Sequence, residues 1–238
     1  MDEITIIGGG LAGAEAAYQI VKRGGRAVII EEKPLRFSPA HSNPMLAELV
    51  CSNSLKSDAL ENAAGLLKVE MRLLGSLVLK AATATRVPAG KTLAVDRGAF
   101  SEFITRALLD VGVRIVREEA VSVPVSRPLI IATGPLTSDA FADALKGLIG
   151  SESLYFYDAV APIVYKDSVN MDKAFFASRY GKGGDDYINC PLDGQEYERF
   201  YNALVEADKV TAREFEAFNK NTFEGCMPIE VMAGRGNK

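Results

Sequence analysis

The residues near the start of the chain that are best suited to chemistry are three glycines, Gly8, Gly10 and Gly13, spaced as G-x-G-x-x-G. They lie between an apolar run at 4–7, predicted as a strand, and a stretch at 11–22, predicted as a helix. Backbone N–H groups at the start of such a helix can bind a pyrophosphate, because glycine permits both the tight turn and the close approach of phosphate. The spacing therefore predicts a dinucleotide site built from Gly8, Gly9, Gly10, Leu11, Ala12 and Gly13.

An acidic residue follows at the position that such a site requires. Glu31 ends the second predicted strand, residues 27–30, and comes 18 residues after Gly13. A carboxylate there can accept hydrogen bonds from the hydroxyls of an adenosine ribose and would repel a 2′-phosphate. The alternative is a glycine turn followed by a surface glutamate. The order of strand, glycines, helix, strand and acid favours the dinucleotide site.

A second segment bears on which dinucleotide is bound. The apolar run 129–131 predicts a strand that ends in Ala132, Thr133 and Gly134. This end is similar to the second signature of flavoproteins with two dinucleotide sites, where the strand passes near the cofactor. Alone it is typical of any strand followed by a turn. Together with the first motif it favours FAD over NAD.

These candidates need a sheet that brings them together. The strand–helix–strand order predicts a parallel sheet with a right-handed crossover. A polar loop is expected over 33–57, a helix over 99–109 and a strand over 113–116. Between them we expect a helix with Asp58 as its N-cap, closed by Gly75. Its predicted inward face comprises Leu60, Ala64, Leu67, Met71 and Leu74.

The composition changes beyond Gly150. Seven of the eight tyrosines lie between Tyr155 and Tyr201. We therefore predict a first domain over 1–150, a tyrosine-rich domain over 151–222, and a return toward the first domain over 223–238. The predicted fold class is α/β.

The composition also limits the kinds of site and partner. The three cysteines, Cys51, Cys190 and Cys226, are too far apart for a disulfide framework or a zinc-ligand spacing, and His41 is the one histidine. A net charge of −4 predicts no polyanion partner from bulk charge, so RNA binding would need a local patch. No apolar run approaches the roughly 18 residues of a membrane span. We expect no metal, no membrane association, and a cytoplasmic location.

Five segments resemble one family, the folate- and FAD-dependent tRNA (uracil-5-)-methyltransferases. The most specific are the two that contain cysteines, ELVCSNS at 48–54 and FEGCMPIE at 223–230. The others are residues 7–13, 132–139 and 155–159. The resemblance runs along the whole chain. It implies a Rossmann-like FAD-binding domain of the glutathione-reductase type, with a smaller inserted α/β domain.

The resemblance also implies a reaction. A one-carbon unit passes from methylenetetrahydrofolate to C5 of a uridine in the T loop of tRNA, with FAD as cofactor and NADH or NADPH as reductant. Uracil C5 is a poor nucleophile until a group adds at C6, and a thiolate is suited to that addition. By resemblance Cys226 is this nucleophile, and Cys51 is a second catalytic thiol that removes the C5 proton or guards the flavin. For each, a small buried hydrophobe is the alternative, and Cys190 is assigned that role.

Two regions are candidates for RNA contact. Residues 72–106 contain six basic and only two acidic side chains, which predicts either a phosphate-contacting surface or an ordinary solvated face. The tyrosine-rich region could stack on unpaired bases or fill the core of a small domain.

Other functions remain open at this stage. The same chemistry on ribosomal RNA, an FAD- or NAD-dependent oxidoreductase acting on a small molecule, and a non-catalytic flavin-binding module are the alternatives. Members of the family are considerably longer, so we expect this chain to be a fragment that is inactive alone.

Overall fold

The computed structural model describes residues 3–50, 52–150, 164–179, 181–208 and 229–236. The chain divides into two compact units, Met1–Leu154 and Tyr155–Lys238. The elements of the first unit are β1 Glu3–Ile7, α1 Leu11–Lys22, β2 Arg26–Glu31, β3 Ser54–Ser57, α2 Ala63–Leu73, α3 Leu77–Ala84, β4 Arg86–Val87, β5 Thr92–Val95, α4 Arg97–Asp110, β6 Arg114–Arg117, β7 Leu129–Ile131 and α5 Asp139–Ile149.

A parallel four-stranded sheet in the order β6-β2-β1-β7 forms the centre of the first unit. The predicted strand–helix–strand unit is confirmed, and Ile7 pairs with Ile30 on one side and with Ile131 on the other. Because parallel strands end at the same edge, the residues that follow β1, β2 and β7 meet there. In open α/β sheets this carboxyl edge is where ligands bind.

The core lies between this sheet and helices α1, α3 and α4. Ile6 and Ile29 from the sheet are fully buried, as are Ala14 and Ala17 on α1 and Phe100 on α4. The alanines on α1 let the helix lie close to the sheet, which fixes the position of its N-terminus. A second sheet, antiparallel and in the order β3-β5-β4, covers another part of the core.

The expectation for residues 58–74 is partly wrong. The helix begins at Ala63, where the Asn62 side chain accepts a hydrogen bond from the backbone N–H of Gly65 at 3.0 Å. The Asp58 carboxylate instead pairs with two arginines, as described below. Gly75 does follow the helix with a φ of +76°. The predicted inward face is mostly outward, because Leu60, Leu67 and Leu74 are each more than half exposed.

The second unit contains a β-hairpin and two helices in its described residues. Strand β8, Phe175–Arg179, pairs antiparallel with β9, Lys182–Asn189, and the helices are α6, Gly194–Glu206, and α7, Ile229–Ala233. Helix α6 begins with a capping box in which Asp193 and Glu196 bond each other's backbone N–H. Tyr201 joins the two helices by donating a hydrogen bond to the Ala233 carbonyl at 3.0 Å. Across the described ranges, no helix combines the length and apolarity needed to cross a membrane.

Candidate functional site

A cavity of about 340 Å³ lies at the carboxyl edge of the parallel sheet. Its volume is within the range of small-molecule sites, about 300–1,000 Å³. The walls come from the turn after β1, the end of β2, the loop that follows it, and the turn after β7. They include Gly8, Gly9, Gly10, Leu11, Ala12, Glu31, Lys33, His41, Glu48, Ala132, Thr133 and Gly134.

The three motif glycines meet three different steric demands. A Cβ on Gly8 would lie 2.6 Å from the carbonyl oxygen of Ala132, and its φ of +98° also favours glycine. A Cβ on Gly13 would lie 1.9 Å from the Gly8 carbonyl oxygen, so only glycine lets α1 approach the turn this closely. A Cβ on Gly10 would meet no atom within 4 Å. Gly8 and Gly13 permit the close packing of the turn, whereas Gly10 keeps space open on its cavity side.

The N-terminus of α1 faces this space without a side-chain cap. Gly10 is the N-cap residue and no side chain accepts from the first N–H groups, nor does an acidic residue occupy the first turn. The unpaired N–H groups and the helix dipole favour a bound anion. With the open side of Gly10, this arrangement fits the pyrophosphate of a dinucleotide.

Glu31 is buried at the end of β2, with 7% of its surface exposed. One carboxylate oxygen accepts from the backbone N–H of Gly9 at 2.7 Å, and the other accepts from the N–H of Lys33 at 3.1 Å. A carboxylate offers about four acceptor positions, so both oxygens retain capacity for further donors. Glu31 therefore holds the glycine turn in place, a role that the sequence analysis did not foresee, and lines the cavity where a ribose contact was predicted.

The end of β7 lies directly beside the glycine turn. The backbone N–H of Ala132 donates to the carbonyl of Ile7 at 2.8 Å, which extends the β1–β7 pairing to the first residue of the turn. Thr133 accepts a hydrogen bond from the Thr137 hydroxyl at 2.7 Å, and Gly134 adopts a φ of +68°. The two glycine-containing segments identified from the sequence thus line the same cavity.

Lys33 and Glu48 are cavity residues that sequence reasoning missed. The Lys33 ammonium lies 3.1 Å from a Glu48 carboxylate oxygen and also donates to the carbonyls of Asn43 and Met45, at 3.0 and 2.8 Å. Burial alone would raise the pKa of Glu48. Hydrogen bonds from the Ser42 backbone and from Lys33 outweigh it and hold the pKa below its ordinary value. No periodic pattern links residues 15 positions apart in a loop, so the pair has no sequence signal.

Further carboxylates lie near the end of β2. Burial, followed by repulsion from Glu31, raises the pKa of Glu32 above its ordinary value. Glu119 forms an ion pair with Arg36, and Glu118 donates its backbone N–H to the carbonyl of Glu31 at 3.0 Å. This end of the cavity is therefore acidic, which suits neutral or hydroxyl-bearing groups better than a phosphate.

The predicted thiols are not part of the described structure. Cys51 and Cys226 lie outside the described residues, and Cys190 is exposed, which contradicts its assignment as a buried hydrophobe. His41 lines the cavity and its Nδ1 lies 2.7 Å from the Ser38 hydroxyl. Among the described ranges, no cluster of three or more histidine, cysteine or acidic residues is arranged to hold a metal ion.

Most basic residues between 72 and 106 pair with carboxylates. Asp58 pairs with Arg72 at 2.7 Å and with Arg86 at 3.2 Å. Lys91 pairs with Glu61, and Arg106 pairs with Glu102 at 2.5 Å. These pairs support the reading of a solvated, internally neutralised face. A phosphate-contacting role for this stretch stays a prediction.

The parallel sheet, the glycine turn and the acid at the end of β2 define a Rossmann-like dinucleotide-binding protein of the α/β class. The chain belongs to the family described as glucose inhibited division protein A, whose model matches residues 3–238.

Several curated relatives are similar over almost the whole chain. All three that follow are named methylenetetrahydrofolate–tRNA-(uracil-5-)-methyltransferase TrmFO. The relative from Geobacter sulfurreducens is 59% identical over 237 residues, which are 99% of this chain and 54% of the relative. The relative from Moorella thermoacetica is 56% identical with the same coverage, and that from Aquifex aeolicus is 51% identical over 100% of this chain and 53% of its own. The chain thus spans about half the length of the curated relatives it matches.

Solved structures resemble the chain only distantly. The tetrameric form of 2-methyl-3-hydroxypyridine-5-carboxylic acid oxygenase has a TM-score of 0.35 at 17% identity, over 52% of this chain and 33% of that one. The flavin-dependent brominase Bmp2 has a TM-score of 0.33 at 18% identity, over 56% of this chain and 38% of that one.

Proposed function

We propose that the protein transfers a one-carbon unit from methylenetetrahydrofolate to C5 of a uridine in the T loop of tRNA, giving 5-methyluridine. The observation that carries the proposal is the 59% identity, over 99% of the chain, to a relative named for this reaction. The geometry of the cavity agrees with it, because a flavin-dependent reaction needs a dinucleotide site.

FAD is the proposed cofactor, and the cavity residues fit its ADP part. The open side of Gly10 and the uncapped N-terminus of α1 suit the pyrophosphate. Glu31, at the end of β2, suits the ribose hydroxyls because both its oxygens have acceptor positions left. When bound, the flavin supplies the two-electron reduction that turns the transferred carbon into a methyl group. NADH or NADPH is the proposed source of those electrons.

Cys226 is the proposed nucleophile. Its thiolate forms a bond to C6 of uracil, which places negative charge on C5 and allows C5 to bond to the donated carbon. The C5 proton must then leave and the C6–sulfur bond must break, which restores the ring and frees the thiolate. The neighbour of Cys226 in sequence is Gly225, and the lack of a side chain there would allow a base to approach closely.

Cys51 is the proposed acceptor of the C5 proton. It follows the loop 41–50, which lines the cavity at His41, Ala47, Glu48 and Val50. A base must come within hydrogen-bond reach of the proton it takes, so a residue next to a cavity-lining segment is suited to that role.

The test uses the complete protein with labelled methylenetetrahydrofolate, a reduced nicotinamide, and unmodified transcripts of tRNA and ribosomal RNA. We expect the label in tRNA as 5-methyluridine. Label confined to ribosomal RNA would keep the chemistry and replace the substrate. No label in either RNA, from protein that carries FAD, would reject the methyl transfer and favour a small-molecule oxidoreductase.

The nucleophile is tested separately with RNA that contains 5-fluorouracil, which cannot release its C5 substituent as a proton. Wild-type protein is expected to form a covalent complex that survives denaturation, and Cys226→Ala is expected to form none. Cys190→Ala is the matched control, since Cys190 is exposed and has no proposed role. A covalent complex with the Cys226→Ala protein would reject the assignment.

A further inference from the structure

The loop 41–50 is closed by a buried ion pair between its own Glu48 and Lys33, which follows β2. The two side chains are 8% and 5% exposed. The Glu48 carboxylate also accepts from the backbone N–H groups of Ser42 and Asn43, at 2.9 and 3.0 Å. Together with the bonds from Lys33 to the carbonyls of Asn43 and Met45, the pair closes the loop on itself and ties it to the end of β2.

The same loop is bonded to the glycine turn. The backbone N–H of Ala47 donates to the Gly9 carbonyl at 2.8 Å, and that of Leu46 donates to the Thr105 hydroxyl at 2.9 Å. Leu46 is fully buried, and Ala47 has a φ of +53°, which is unfavourable for a residue with a side chain. Such a conformation persists only where surrounding contacts determine it.

Lys33 also connects to the cavity acid. Its backbone N–H donates to the Glu31 carboxylate, and its carbonyl accepts from Arg117 at 2.7 Å. One residue thus contacts Glu31 through its main chain and Glu48 through its side chain. The position of the loop is consequently fixed relative to both the glycine turn and Glu31.

We propose that Lys33 and Glu48 are positioning residues that hold loop 41–50 at the cofactor cavity and so set the approach of Cys51 to the reaction. This inference rests on the proposed function, in which Cys51 accepts the C5 proton. Cys51 directly follows the loop in the sequence. Both residues line the cavity, and the role assigned to their ion pair is to act through the loop and not on the reacting atoms.

Two substitutions remove the pair in different ways. Glu48→Gln preserves the shape of the side chain but replaces one carboxylate oxygen by an NH2 group. The single remaining oxygen cannot accept both from the Ser42 and Asn43 N–H groups and from the Lys33 ammonium. Lys33→Met preserves the length of the side chain and leaves the Asn43 and Met45 carbonyls without their donor. Removing one partner of a buried pair leaves the other uncompensated, so both variants should loosen the loop. Asp143→Asn is the control, since its pair with Lys146 is exposed.

The experiment measures kcat and KM for 5-methyluridine formation in the complete protein, along with bound FAD and the temperature of unfolding. We expect kcat to fall about tenfold or more in Glu48→Gln, since a small misplacement of a reacting group is costly. The FAD content is measured to separate the two effects: the glycine turn and the uncapped N-terminus of α1 are unchanged in both variants, so a fall in kcat should exceed any fall in bound FAD. Asp143→Asn should match the wild type.

A second readout does not depend on methyl transfer. The rate at which iodoacetamide alkylates Cys51, followed by mass spectrometry with Cys190 as internal reference, should rise about fivefold or more when the loop opens more often. Unchanged kcat and unchanged Cys51 alkylation in Glu48→Gln would overturn the inference, as would a loss of activity that only follows a loss of FAD. If Lys33→Met fails to fold, the results for Glu48→Gln still test the inference. If Cys51 of the wild-type protein is alkylated as expected but the protein methylates no RNA, the proposed function is rejected and the positioning of the loop is not.

Discussion

Gly10→Ala should separate cofactor binding from folding. Gly10 has a φ of −70° and a ψ of −170°, which any residue adopts, and a Cβ there would meet no protein atom within 4 Å. Folding therefore has no steric reason to select glycine at this position. If the pyrophosphate occupies the open space beside Gly10, the added methyl group will oppose it directly.

The expected magnitudes follow from these two facts. Alanine in place of a compatible glycine stabilises by about 0.4–1 kcal/mol through the unfolded chain. Alanine is a poorer N-cap than glycine by a similar amount, so the net change should lie within about 1 kcal/mol. Crowding of a packed site by one methyl group costs about 1–3 kcal/mol. At 1.4 kcal/mol per tenfold change, FAD should bind about five- to a hundredfold more weakly.

The assay titrates apoprotein with FAD by quenching of flavin fluorescence and follows urea unfolding of the same apoprotein. Gly13→Ala is the matched control, because its Cβ would lie 1.9 Å from the Gly8 carbonyl oxygen and α1 would have to move away from the turn. We expect that change to destabilise the apoprotein by about 3 kcal/mol or more. Gly10→Ala with FAD affinity within about twofold of the wild type would refute the location of the pyrophosphate. So would a fall in stability equal to that of Gly13→Ala.

Three further outcomes concern stability. Glu15→Ala should destabilise the apoprotein by about 1–3 kcal/mol in urea unfolding, since its carboxylate accepts from Ser76 and from two N–H groups at the start of α3; no change would show that these bonds contribute nothing. Asn62→Ala should cost about 1 kcal/mol by the same method, as expected for an N-cap, and Asp58→Ala should not shorten α2 by circular dichroism. The folded pKa of Glu48 is lowered, so its contribution is present above its unfolded pKa and lost as pH falls through the folded value. The acid limb of a plot of unfolding temperature against pH should therefore be flatter in Glu48→Gln than in the wild type.

Glu32 supplies the control for the pH prediction, because its pKa is shifted in the opposite direction. Burial, followed by repulsion from Glu31, disfavours its charged form in the folded state. Its charge therefore opposes folding at neutral pH; this penalty shrinks as pH falls through the raised pKa and is gone below the ordinary pKa. Glu32→Gln should raise the unfolding temperature of the apoprotein at pH 7. An equal response of Glu32→Gln and Glu48→Gln would contradict both assignments.

The features that were predicted correctly depend on short stretches of sequence. The strand–helix–strand unit and its glycine turn follow from hydrophobic periodicity and from a spacing of six residues. The second strand end, Ala132–Gly134, was predicted from an apolar run followed by a turn. That the two ends lie side by side followed from the parallel order of the sheet.

The wrong prediction for Asp58 and the missed pair of Lys33 and Glu48 both involve partners that are distant in sequence. Asp58 has the spacing of an N-cap, yet Arg72 and Arg86 bind its carboxylate and Asn62 takes its place. The apolar face of α2 has helical periodicity, but periodicity does not state which side is covered.

The sequence by itself determined the class of fold, the location of the glycine turn and the family. Each of these depends on local patterns that survive without knowledge of packing. Only the tertiary structure decided that Glu31 holds the glycine turn as well as lining the cavity, and that a buried ion pair joins Lys33 to Glu48 in the loop 41–50. These contacts form because burial forces polar groups to find partners wherever the chain brings them together, and no local pattern encodes that choice.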